Sequence, residues 1–189
     1  RSAFSLVSTI FRTARKSPMS SALIATLLAF FVVMLGAYTR LTDAGLGCPD
    51  WPGCYGQLLA PHNEAQVLHI QTTQSVEKVE PVKAWTEMVH RYFAGSLGLM
   101  ILILFIWAIL RRSRGDRQQP VVIPLLLVLL VIFQALLGMW TVTWQLLPLV
   151  VMGHLLGGMI LTALLFTLCL QTSHDSKAFV DSGLKKIRP

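Results

Sequence analysis

The feature that most constrains this chain is a long stretch without any charged residue. From Gln118 to His174 the sequence contains no Asp, Glu, Lys or Arg. One membrane-spanning helix needs about 20 apolar residues, so this stretch is too long for a single span. A turn is best placed at Trp144–Pro148, because proline does not continue a helix comfortably. The stretch therefore predicts two transmembrane helices joined by a short turn.

Two further apolar stretches complete a predicted all-α fold. Hydrophobic residues make up 54% of the chain and charged residues only 13%, which is typical of an integral membrane protein. The first span is too long, and lacks the small-residue cleavage site, for a cleaved signal peptide. We predict a four-helix bundle of two helical hairpins, with a long extracytoplasmic loop between the first two helices. The predicted spans are Ser20–Thr39, Ala84–Leu110, Val121–Thr143 and Leu149–Leu170.

The net charge of +7 indicates orientation. Most basic residues lie before the first span, between the second and third, or after the fourth. By the positive-inside rule these segments, and both termini, face the cytoplasm. The charges do not form the basic stripe of a nucleic-acid-binding protein, so we expect lipid and no nucleic acid around the chain. The residues concerned are Arg1, Arg12, Arg15, Lys16, Arg111, Arg112, Arg114, Arg117, Lys177, Lys185, Lys186 and Arg188.

These spans divide the chain into three parts. We predict a basic cytoplasmic N-terminus over residues 1–19, a transmembrane domain over 20–170 and a cytoplasmic tail or linker over 171–189. The outer loop occupies about 40–83, and residues 63–73 within it suit a short surface helix. A loop of this length is usually functional.

The outer loop contains two closely spaced cysteines, Cys48 and Cys54. On the oxidising side of a membrane they are expected to form a disulfide. The sequence offers no further cysteine pair or nearby histidine to complete a zinc site. Either a structural staple or a redox-active pair fits this pattern. Cys169, in the fourth span, is expected only to pack.

Two histidines fall inside the predicted spans, His90 in the second and His154 in the fourth. An ionisable side chain in a bilayer is expensive and indicates a functional site. Both lie about six residues from the predicted start of parallel helices, which places both at a depth of ~9 Å. They are predicted to bind one heme iron from both sides. The plain alternative is a pair of core histidines that bond to neighbouring helices. His62, His69 and His174 are expected to be incidental.

A short internal repeat pairs these histidines as counterparts. The first span ends with Leu35-Gly36-Ala37-Tyr38-Thr39 and the third with Leu137-Gly138-Met139-Trp140-Thr141. Each is followed by a helix that carries one of the two histidines. Glycines at such positions allow a helix or a flat ligand to approach the backbone closely.

Three charged residues lie near the outer end of the bundle. Glu87 is one turn from His90 on the same helix face. Beside a heme it would accept a proton or stabilise positive charge; otherwise it is solvated or paired with Arg91. Arg40 and Arg91 are candidates for binding heme propionates, and interfacial snorkelling is the plain alternative.

The segment Arg40–Gly56 resembles the first outer loop of the heme A synthase family. Glu87–Arg91 resembles the second helix of that family, and Leu136–Val142 with His154 resembles the third and fourth. The resemblance extends over essentially the whole chain. Family members have eight helices in two halves, and this chain resembles the N-terminal half. We therefore expect either a fragment of a longer protein or a half-size protein that pairs with a copy of itself or with a C-terminal half.

The resemblance implies oxidation of a methyl group of heme O to a formyl group. The product, heme A, serves cytochrome c oxidase, so heme O synthase (protoheme farnesyltransferase) and oxidase assembly are the implied partners. His90 and His154 would bind the substrate iron as axial ligands, and Glu87 would be catalytic. Cys48 and Cys54 would stabilise the loop or help in heme transfer.

The resemblance also implies a heme b in the second half and a location in the bacterial inner membrane. From the residues alone, two other functions stay open. One is a bis-histidine cytochrome b for electron transfer, and the other is a heme chaperone or transporter without chemistry.

Overall fold

The computed structural model describes residues 18–74, 78–116 and 119–187, with side chains described for 20–73, 78–116 and 119–172. Four long helices and one short helix account for most of these residues. They are α1 Pro18–Leu41, α2 Glu64–Gln74, α3 Pro81–Ser113, α4 Val122–Thr143 and α5 Pro148–Ile187.

The four long helices confirm the predicted membrane fold. Each contains a segment long and apolar enough to cross a bilayer: Ser20–Leu41, Pro81–Ser113, Val122–Thr143 and Pro148–Thr172. The predicted surface helix is present as α2, and the predicted turn lies at 144–147. Large apolar side chains on the outside of the bundle are exposed, as lipid contact requires. Examples are Ile24, Phe30, Leu99, Ile103, Leu129 and Met159.

The helix α3 begins earlier than predicted. Its first residue is Pro81, which suits the first turn of a helix because that turn needs no backbone N–H from it. His90 therefore lies farther from the start of its helix than His154 does from Pro148. The prediction that the two histidines are equally deep, counted from the helix starts, was wrong, and their correspondence depends on their contacts instead.

The four long helices form a ring. The helix α1 packs against α3 and α5, and α4 packs against the same two helices. The two histidine-bearing helices, α3 and α5, therefore lie on one diagonal of the bundle. The predicted hairpins are the neighbours α1–α3 and α4–α5.

Two packed clusters lie on either side of the histidines. At the end away from the loop, all four long helices contribute to an apolar core that includes Ala25, Leu97, Leu127, Leu161 and Leu165. At the loop end, the outer loop packs on the start of α3 in a second cluster. Its buried members are Cys48, Cys54, Tyr55, Ala60, Ile70, Val79, Ala84 and Met88.

Part of the charge pattern lies outside the described residues. Arg1, Arg12, Arg15, Lys16, Arg117 and Arg188 belong to this part, as do the side chains of Lys177, Lys185, Lys186 and His174. The division into an N-terminus, a transmembrane domain and a tail stays a prediction, as do the cytoplasmic termini.

Candidate functional site

The two membrane histidines make the same contact in each hairpin. A Cβ atom added to Gly36 of α1 would lie 3.0 Å from Cε1 of His90. A Cβ atom added to Gly138 of α4 would lie 3.4 Å from Cε1 of His154. One turn before each glycine, a backbone carbonyl also faces the ring: that of Val32 for His90 and that of Gln134 for His154. The internal repeat in the sequence therefore corresponds to an internal repeat in the structure.

Both imidazole rings have a nitrogen that suits a ligand. The Nδ1 atoms of His90 and His154 are buried and have no hydrogen-bond partner among the described residues. Leaving a buried polar atom unpaired costs about 1–3 kcal/mol, which a bound ligand offsets.

The donor set fits a heme better than a metal held by protein alone. No group of three or more His, Cys, Asp or Glu side chains gathers within the described part of the chain. A free metal ion in a protein usually needs three or four such ligands, whereas heme iron needs only axial ones because the porphyrin supplies the rest. Two histidines on diagonal helices, each packed against a glycine, meet that need.

Glu87 is buried at the loop end of α3 and is only 4% exposed. One carboxylate oxygen accepts a hydrogen bond from the backbone N–H of Cys48 at 2.9 Å. The other accepts one from Nη2 of Arg91 at 2.5 Å. The alternative of a solvated Glu87 is therefore wrong, and the pairing with Arg91 is present.

Arg91 fastens the cysteine loop to α3. Its Nη1 donates to the carbonyl oxygens of Asp50 at 2.9 Å and of Gly53 at 2.5 Å. With Glu87 on its other nitrogen, the guanidinium is occupied by the loop. Arg40, by contrast, is exposed at the end of α1 and forms no ion pair within the described ranges.

The predicted disulfide between Cys48 and Cys54 is present. Both cysteines are completely buried. The carboxylate of Asp50 accepts hydrogen bonds from the backbone N–H groups of Tyr55 at 2.6 Å and Gly56 at 2.8 Å. Because thiol exchange needs access to a sulfur atom, this burial favours the structural staple over the redox-active pair.

Close backbone packing holds the same loop on α3. A Cβ atom added to Gly47 would lie 2.5 Å from the carbonyl carbon of Lys83. Burial raises the pKa of Tyr55, with Asp50, Glu87 and Glu80 adding to the effect, so the phenol stays neutral at physiological pH. At the surface, Lys83 and Lys78 form ion pairs with Glu80 and lower the pKa of that carboxyl group.

The other histidines and the third cysteine do not join this site. His62 lines a groove of about 480 Å³ beside the loop ends of α1 and α3, and His90 and His154 do not line it. His69 is exposed on α2. Cys169 is free and buried in the apolar core, as expected.

Gln134 is a residue that the sequence analysis missed. It is buried in α4, and its amide nitrogen has no hydrogen-bond partner among the described residues. One signal was present in the sequence. Between Pro124 and Thr141, Gln134 is the only residue with a side-chain amide, and it lies one turn before Gly138.

Comparison with known proteins identifies relatives over most of the chain. Residues 20–189 match the family model described as "Cytochrome oxidase assembly protein". A heme A synthase of Shewanella oneidensis is 48% identical over 158 residues, which are 84% of this chain and 46% of that protein. One from Exiguobacterium sibiricum is 30% identical over 74% of this chain and 41% of that protein.

A third relative, the heme A synthase of Halalkalibacterium halodurans, is 35% identical over 57% of this chain and 30% of that protein. The chain thus spans less than half the length of these curated relatives. No solved structure matches it.

Proposed function

The chain belongs to the heme A synthase family, and we propose that its four-helix bundle binds the substrate, heme O, between His90 and His154. One observation carries this proposal. Each histidine packs on a glycine of the neighbouring helix and keeps a buried Nδ1 atom without a partner in the described structure. Two such rings on diagonal helices suit the two axial positions of one iron.

The reaction proposed for this site oxidises one methyl group of heme O to a formyl group. Two successive hydroxylations give a hydrated aldehyde, which loses water to give heme A. In total, the methyl group and one water molecule give the aldehyde, four protons and four electrons, and the electrons would pass to an acceptor outside the described residues. The histidines fix the iron, and thereby the methyl group, relative to the protein, which lowers the entropic cost of reaction.

Glu87 is proposed as the charged group that acts beside the substrate. It lies one turn from His90, and a carboxylate that accepts two hydrogen bonds still has lone pairs to offer. It would stabilise positive charge that develops on the oxidised methyl carbon, or accept a proton from it. Arg40, whose guanidinium is exposed, is the better candidate for binding propionates, because Arg91 is occupied by the loop.

The surroundings of the site are part of the same proposal. We infer a bacterial inner membrane location with both termini in the cytoplasm. A second four-helix half carrying heme b, or a second copy of this chain, would provide electron transfer. Heme O synthase would supply the substrate, and cytochrome c oxidase assembly would use the product.

Substitution of each histidine tests the binding site. The purified chain in detergent, titrated with heme O, should give the absorption spectrum of low-spin, bis-histidine iron. His90→Ala and His154→Ala should each abolish that spectrum, because one axial ligand is lost. His69→Ala is the matched control and should leave it unchanged. Retention of the low-spin spectrum in either membrane variant would overturn the site.

Two further measurements separate binding from chemistry. Heme extracted from the protein should be heme O or heme A; heme b alone would favour the electron-transferring cytochrome. In a full-length relative that carries the matching loop and helix, Glu87→Gln should still bind heme but lose conversion to the formyl product. Normal heme A production by that variant would remove Glu87 from the mechanism and leave the histidine assignment intact.

A further inference from the structure

We propose that the side chain of Gln134 forms a hydrogen bond with the hydroxyl group that distinguishes heme O from protoheme, and so selects the substrate. This inference rests on the proposed heme site. Protoheme has a vinyl group where heme O has a hydroxyethyl group that carries the farnesyl chain. That hydroxyl is the one hydrogen-bonding group present in heme O and absent from protoheme.

Gln134 is an unsatisfied polar group in the interior of the bundle. It is 7% exposed, and its Nε2 atom has no partner among the described residues. A buried amide N–H group without a hydrogen-bond partner is unfavourable relative to an apolar side chain of the same size. The amide therefore needs a partner that the described part of the chain does not supply.

Gly157 of α5 makes the space for this amide. A Cβ atom added to Gly157 would overlap with Nε2 of Gln134 and would lie 2.8 Å from its Cδ. One turn away on the same helix, a Cβ atom added to Gly153 would reach only Cδ1 of Leu137, at 4.0 Å. The opening at Gly157 is thus specific to the glutamine.

The amide lies one turn from the histidine layer, on the side away from the loop. Gln134 comes one turn before Gly138, which packs on His154, and Gly157 comes one turn after His154. One helical turn corresponds to about 5.4 Å along the axis. Beyond this level begins the closed apolar core of Leu127, Leu161 and their neighbours. Gln134 therefore lies at the floor of the site.

The floor is where the distinguishing hydroxyl of heme O should lie. If the propionates are bound at the loop end near Arg40, the opposite edge of the porphyrin points toward this floor. The farnesyl-bearing pyrrole belongs to that half of the ring. A hydroxyl both donates and accepts hydrogen bonds, so it can pair with either end of the amide and the inference does not depend on how the amide is oriented.

A vinyl group in the same place would leave the amide unpaired. Sites built to hydrogen-bond a substrate hydroxyl reject analogues that lack it, because the buried protein group then loses its partner. The farnesyl chain alone favours heme O in any apolar bundle. The diagnostic quantity is therefore the change that a substitution causes in the ratio of the two affinities.

The test is a titration of the purified chain with heme O and with protoheme, followed by absorption. Gln134→Leu should weaken binding of heme O about tenfold, the equivalent of one hydrogen bond of about 1.4 kcal/mol. Binding of protoheme should be unchanged or tighter, because an unsatisfied amide has been removed. Gly157→Ala, which displaces the amide, should reduce the heme O preference in the same direction. Gly153→Ala is the matched glycine control and should leave the ratio unchanged.

The outcomes separate this inference from the proposed function. A wild-type chain that binds neither heme with a bis-histidine spectrum would overturn both. A normal spectrum with an unchanged affinity ratio in Gln134→Leu and Gly157→Ala would overturn the role of Gln134 alone, as would equal weakening of both hemes.

Discussion

At each membrane histidine the neighbouring helix presents a glycine instead of a side chain. Gly36 and Gly138 are separated by two spans and the loop, yet each makes the same contact with a histidine. A backbone carbonyl faces each ring, that of Val32 for His90 and that of Gln134 for His154, yet neither Nδ1 atom forms a hydrogen bond of normal geometry among the described residues. The glycines therefore position the imidazole rings and do not supply them with hydrogen bonds.

Alanine at these two glycines should perturb the rings to different degrees. The added methyl at Gly36 would be 3.0 Å from the ring of His90, and that at Gly138 would be 3.4 Å from the ring of His154. Overpacking typically costs about 1–3 kcal/mol, so Gly36→Ala should weaken heme binding roughly 5–150-fold and Gly138→Ala by less. Titration of the low-spin spectrum measures both.

Gly95→Ala provides the control for this series. Nothing lies within 4 Å of a Cβ atom at Gly95 on α3, so its heme affinity should match that of the unsubstituted chain. Equal affinities for all three variants would show that the glycine contacts do not position the histidines.

Arg91 anchors the disulfide loop to α3 through the geometry of its guanidinium group. It reaches Glu87 with one nitrogen and three loop carbonyls with the other, which a lysine ammonium cannot reproduce. Arg91→Lys should lower the stability of the ligand-free chain by about 1–3 kcal/mol and therefore lower its melting temperature. Arg40→Lys, at an exposed position, should change stability by less than about 0.5 kcal/mol. Equal melting temperatures for the two variants would contradict the anchoring role.

The helices were more predictable from the sequence than their ends. The spans were evident because uncharged apolar stretches of that length rarely occur outside membrane-spanning helices. The start of α3 was misplaced because Pro81-Val82-Lys83 resembles loop sequence, although proline is favoured in a first helical turn. The helix α5 continues to Ile187, beyond its predicted end at Leu170, because the later turns are too polar to be recognised as part of a span.

Contacts between elements were predictable only where a sequence motif repeats, where two cysteines are closely spaced, or where an ionisable residue lies inside an apolar span. His90, His154, Cys48 and Cys54 were identified from such signals. The bond from the backbone N–H of Cys48 to Glu87 was not, because it joins residues 39 positions apart and involves a backbone group. Gln134 was missed because its side chain is uncharged, so the sequence gives little indication that its burial is unfavourable.

At the scale of the whole molecule, the bundle is closed at one end and capped at the other. The apolar core fills the end away from the loop, and the disulfide loop covers the start of α3. The histidines, the glycines and Gln134 lie between these two clusters. A ligand bound there would contact all four helices, so binding should make the whole bundle more stable.

The basic residues predict how the bundle is oriented in the membrane. The basic residues between α3 and α4 predict that Arg114 faces the cytoplasm, whereas Leu58, which is 81% exposed, lies on the outer loop. In a Cys169→Ser background the only remaining cysteines are joined in the disulfide. Arg114→Cys and Leu58→Cys then each introduce a single reactive thiol. In spheroplasts, a membrane-impermeant maleimide should label the thiol at position 58 directly and the thiol at position 114 only after the membrane is permeabilised. Labelling of position 114 in sealed spheroplasts would show that the bundle has the opposite orientation, with the histidine layer near the cytoplasmic face. A disulfide between Cys48 and Cys54 would not be expected to persist on that side of the membrane.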